Sequence, residues 1–102
     1  MKPARNDPAR LEGRPFSLRD LQVALLWAEK TPTMRLRIML DHPNIAEVIE
    51  VCPPLFAYPR WFIWNTFDGR LRVDDLSTAE FGLPYLTVNT ALRFIESTLL
   101  LD

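Results

Sequence analysis

From residue 16 onward the chain switches between two spacings of apolar residues. Leu18, Leu21, Leu25 and Ala28 recur at helical intervals, flanked by Ala24 and Trp27. A stripe that wide predicts a helix lying on a sheet. Ser17 is placed to cap it, Asp20 to sit near its positive end, and Phe16 to staple onto Leu21. Pro32 forces Thr31 out of helical conformation and stops the helix. The period then drops to two. Met34, Leu36 and Ile38 alternate with Arg35 and Arg37, which predicts a half-buried strand with the arginines on its wet face. Asp41-His42-Pro43-Asn44 reads as a turn.

Residues 45–52 carry both signals. Ile45, Val48, Ile49 and Cys52 fall at helical spacing behind Asn44, but Ile45, Val48, Ile49 and Val51 are β-branched and suit a pleated surface. A strand is preferred, because the hairpin that follows needs a third strand to be stable. That hairpin is the clearest β signal: Arg60 to Thr66 and Arg70 to Asp75 flank Asp68-Gly69, where Gly supplies a positive φ cheaply. A two-residue Asp68-Gly69 turn pairs Trp64 with Val73 and puts Trp64, Leu71 and Val73 on the buried face. A three-residue loop with a bulge would instead set Trp64 against Arg72. The first register is preferred because it separates apolar from polar more cleanly. Residues 76–82 predict a one-turn helix, with Ser77 and Glu80 as its capping box and Gly82 as its exit. Thr87 caps a last helix carrying Val88, Ala91, Leu92, Ile95 and Leu99 on one stripe.

The expected fold is therefore α+β: an N-terminal helix, a three- or four-stranded antiparallel meander with an Asp-Gly hairpin, a short helical turn, and a C-terminal helix packed on the sheet. Residues 16–102 form a single domain. Residues 1–15, with three prolines, four basic and two acidic residues and almost nothing apolar, read as a flexible tail.

Composition mainly excludes. A chain of 102 residues with 12 Lys+Arg against 13 Asp+Glu has no global field for nucleic acid or anionic membrane. One Cys and one His rule out an internal disulfide and any strong zinc spacing. Three glycines, at 13, 69 and 82, make no phosphate-cradling loop. No cofactor, metal or small-molecule ligand is implied, and a charged N-terminus where a secretory leader would be apolar suggests a cytoplasmic chain.

Three functional readings compete. The preferred one is protein–protein contact without catalysis, to an unidentified partner or a second copy. It rests on apolar side chains in excess of one small core: Phe56 and Tyr58 in the 55–59 loop, Trp61 and Ile63 on the sheet face away from Trp64, and Leu100 at the C-terminal end. The second is single-stranded nucleic-acid or anion binding by Arg35, Arg37, Arg70 and Arg72 near Trp61, opposed by the neutral balance of charge. The third is a cysteine nucleophile, Cys52, paired with His42. It lacks an orienting group, and Cys is more often a buried small hydrophobe. The carboxylates Asp74, Asp75 and Glu80, and Glu47 with Glu50, are expected to be solvated charges.

Overall fold

The Ser17 hydroxyl accepts a hydrogen bond from the Asp20 backbone N–H at 3.1 Å, and this cap opens helix α1, Leu18–Lys30. The computed structural model describes residues 14–42, 46–66 and 70–101. After α1 come five strands, β1 (Arg35–His42), β2 (Ala46–Cys52), β3 (Trp61–Asn65), β4 (Leu71–Asp75) and β5 (Glu80–Tyr85), and a closing helix α2 (Val88–Leu101). The strands form one antiparallel sheet in the order β1-β2-β3-β4-β5. The class is α+β, with five strands where three or four were expected. Of the residues expected to be a tail, Arg14 and Pro15 lie within the described part, and the Arg14 N–H donates to the Asn65 carbonyl at 2.9 Å.

The extra strand begins in residues expected to be helical and runs on through the segment expected to lead into the last helix. Residues 76–79 are a hairpin turn, and β5 begins at Glu80. Ser77 does not cap Glu80; its backbone N–H and hydroxyl both donate to the Asp75 carboxylate, at 3.0 and 2.8 Å. Gly82 does take a positive φ, +68°, but inside β5, where the pairing with β4 shifts register and the Gly82 N–H donates to Asp74 at 2.7 Å. A side chain at that φ would be strained, so glycine suits the position. Pro84 is tolerated because β5 is an edge strand.

The register between β3 and β4 overturns the preferred hairpin pairing. Trp64 faces Arg72 and Ile63 faces Val73. Thr66 and Arg70 are joined by a 2.9 Å backbone hydrogen bond, and Asp68-Gly69 lies outside the described residues. The reason lies beyond the hairpin. One row of apolar side chains crosses the whole sheet, Ile38, Ile49, Ile63, Val73 and Leu83, each opposite the next. Only the observed register keeps Ile63 in that row. It also sends Trp61 inward and Trp64 outward.

This face and the two helices share one core. Ala24 and Trp27 of α1, and Val88, Ala91, Leu92 and Ile95 of α2, cluster with Ile49, Val51, Trp61, Ile63, Leu71 and Val73. Within α1 the buried stripe is not the expected one. Leu21, Val23, Ala24 and Trp27 meet the core, whereas Leu18 and Leu25 are exposed. The Trp27 indole N–H donates to Glu96 at 2.6 Å and ties the helices together. In α2 the Thr90 backbone N–H donates to the Thr87 hydroxyl at 3.1 Å, and the Thr87 N–H to the Thr90 hydroxyl at 3.0 Å, a reciprocal cap. Among the described residues no helix is long and apolar enough to cross a membrane.

Candidate interaction surface

Every strand residue next to the β2–β3 loop is fixed, and the loop itself is apolar. β2 ends because Pro53 and Pro54 offer no N–H to a ladder. The Phe56 N–H then bonds back to the Pro53 carbonyl at 3.3 Å, closing a four-residue turn with Leu55 at φ 70°. Proline followed by a residue at positive φ is the type II pattern, in which glycine normally fills the third position. Here it is a leucine, at a cost of about 1–2 kcal/mol, and its side chain is fully exposed.

Beneath the turn the backbone is tied down. Cys52 is buried, with its thiol 3.3 Å from the Phe56 carbonyl and 3.2 Å from that of Tyr58. Arg35 reaches across from β1, donating to Cys52 Sγ at 2.9 Å and to the Phe56 carbonyl. At the far end the Arg60 N–H bonds to the Val51 carbonyl at 2.9 Å, and the Leu76 N–H to the Arg60 carbonyl at 2.7 Å. The Arg60 guanidinium grips Asp75 through two contacts, 3.2 and 3.3 Å, and lies over the Trp61 ring at 4.4 Å. Leu55, Phe56 and Tyr58 thus project from a loop whose backbone has little freedom left to lose. Tyr58 is 79% exposed and Phe56 43%.

The remaining expected site residues scatter. Trp61 and Ile63 are completely buried on the face under the helices, so neither belongs to a surface patch. The side chain of Leu100 lies outside the described residues. Arg35, Arg37 and Arg72 share the sheet face opposite the core, but β1 and β4 are three strands apart, about 14 Å. Between them one transverse row reads Arg37, Glu50, Phe62 and Asp74, so carboxylates interrupt the cations. Arg70 is exposed ahead of β4. Trp61, the ring meant to stack a base beside them, faces the other way.

Cys52 and His42 cannot meet. Cys52 is opposite Arg35 at one end of β1 and His42 opposite Ala46 at the other, seven residues and roughly 20 Å along the strand. The thiol serves as an anchor for loop carbonyls. Nor do the carboxylates converge. Asp74 holds the Gly82 N–H, Asp75 holds Arg60 and Ser77, Glu47 accepts the Phe16 N–H at 2.9 Å, and Glu80 accepts from Thr78 at 3.0 Å. Asp74 and Asp75 are buried instead of solvated. Among the described residues no three His, Cys, Asp or Glu side chains gather to hold a metal.

Sequence reasoning counted Leu55 in the apolar loop but missed the positive φ that makes it the exposed tip, and missed Arg35 as the residue that holds the loop. A signal for the first was present: Pro54 in the second position of a turn sets up a positive φ one residue later. No family model, curated protein or solved structure matches the chain.

Proposed function

We propose that this chain is a non-enzymatic protein-contact module that engages its partner with the rigid apolar tip of the β2–β3 loop, Leu55, Phe56 and Tyr58. The observation that carries this reading is a leucine at positive φ with its whole side chain in water. Glycine would relieve the backbone, and a polar residue would suit the exposure. A strained, exposed apolar residue on a fixed backbone serves neither folding nor solubility. It does serve binding, because a loop already ordered loses little entropy on docking, and aromatic neighbours supply contact area at low rotamer cost.

Stability and contact separate at this position. Leu55→Gly is expected to leave the melting temperature unchanged or to add up to about 1 kcal/mol, since relief of strain offsets the freer unfolded chain. The test places a photo-crosslinking phenylalanine analogue at position 58, with Leu18 on α1, also exposed, as the control position. A discrete adduct from position 58 that Leu55→Gly abolishes supports the reading; equal or absent adducts at both positions refute it. If the partner is a second copy, the adduct has twice the mass of the chain.

A further inference from the structure

Among the described residues the sheet has two edges, β1 and β5, and one of them is closed to a further strand. β5 contains Pro84, which has no N–H to offer, and Gly82 at a shift of register; both features blunt an edge. β1 runs eight residues without proline, and its irregularity is confined to the stretch between Met39 and His42. Residues 35–39 therefore present a regular row of backbone donors and acceptors along the edge.

The side chains of that stretch are sorted by sign and polarity. Leu36 and Ile38 pack against the core yet remain only half-buried, because the rows they begin stop at the edge. Arg35 and Arg37 stand exposed on the opposite face, and Arg37 has no ion-pair partner among the described residues. Beside them a groove of about 300 Å³ includes Arg35, Leu36, Arg37, Glu50, Ala57 and Pro59 in its lining.

We infer that the β1 edge takes up an extended segment of another protein as a sixth strand, a segment whose side chains alternate between acidic and apolar. Its carboxylates meet Arg35 and Arg37 in the groove, its apolar side chains extend the row through Ile38 and cover Leu36, and its backbone completes the ladder. A second copy of this chain is the poorer occupant. Antiparallel pairing of β1 with β1 places the arginines of both copies side by side on one face, where like charges repel. The inference rests on the reading that the chain works by protein contact, but not on the loop being the surface used.

The probe is a labelled peptide of alternating Glu and Val, of the length of β1, titrated against the full chain by fluorescence anisotropy. Saturable binding is expected, with slowed amide exchange at residues 35–39. Arg37→Glu weakens it about tenfold and favours a Lys/Val peptide instead. Methylating alternate peptide nitrogens abolishes it. Circular dichroism confirms that Arg37→Glu, at an exposed position, remains folded. Absence of binding at about millimolar peptide, binding indifferent to both Arg37→Glu and N-methylation, or protection confined to β5 overturns the inference. Crosslinking from position 58 without peptide binding removes this inference and leaves the loop reading standing; peptide binding without that crosslink does the reverse.

Discussion

Trp61→Ala is expected to cost about 4 kcal/mol of folding stability, near the upper range for deleting a buried aromatic side chain. The indole is completely buried between the neighbouring β2 and β4 residues Val51 and Asp75 on the helix-covered face, and the Arg60 guanidinium closes over it. Truncation leaves a cavity that the interlocked rows of five strands have little freedom to fill, and it removes the cation–π contact as well. For a chain of this size the melting temperature should fall by roughly 20 °C. Trp61→Phe provides the comparison. The Trp61 indole N–H has no hydrogen-bond partner among the described residues, so its removal costs nothing and offsets part of the lost volume. That variant should lose only about 1 kcal/mol. Chemical denaturation of both variants measures the effect. A loss below about 1 kcal/mol for Trp61→Ala would mean that the ring lies at the surface and that the β3–β4 register is wrong. Acrylamide should correspondingly quench none of Trp27, Trp61 and Trp64 efficiently, since all three are buried.

Asp75→Ala should cost about 3 kcal/mol, because it strands Arg60 with its guanidinium largely out of water and frees two Ser77 donors. The effect depends on pH in a direction the structure sets. Burial alone would raise the Asp75 pKa, but the hydrogen bonds from Arg60 and Ser77, together with the Arg60 charge, outweigh it and hold the carboxyl below its ordinary 3.8. A carboxylate with a lowered folded pKa binds protons less readily in the native state than in the unfolded one. Its contribution is fully present above 3.8 and disappears as the pH falls through the lowered folded value. Wild type and Asp75→Ala should therefore differ most at neutral pH and converge in acid. A gap that stays constant down through the acid transition would contradict this account. The β2–β3 loop should loosen in the same variant, because Arg60 clamps its end.

Much of the local structure was legible from residue order. The Ser17 cap, the arrest at Pro32, the two-residue period of residues 34–38 and the α2 stripe through Ile95 each depend on neighbours a few positions apart. Residues 45–52 carried helical spacing and β-branched composition at once, and it was the need of the following hairpin for a third strand that favoured the strand found there. Residues 76–82 misled, because Ser77 and Glu80 have capping-box spacing, yet the buried Asp75 beside them competes for the Ser77 hydroxyl. For α1, both Leu25 and Trp27 could face inward by spacing. Glu96, which receives the Trp27 indole N–H from α2, helps fix the choice, and it lies 69 residues away.

The interaction surface was half legible for the same reason. Phe56 and Tyr58 follow two prolines in a segment that cannot pair, so their exposure follows from local chemistry. Trp61 and Ile63 begin a strand, and a strand has two faces that its own residues cannot tell apart. Thus the order of amino acids by itself determined the Ser17 and Thr87 caps, the two-residue period of β1 and the apolar loop, all of which arise from interactions within a few residues. Only the tertiary structure decided which rings are wet, because a slip of one residue in strand pairing exchanges the two faces, and the choice belongs to an apolar row spanning five strands.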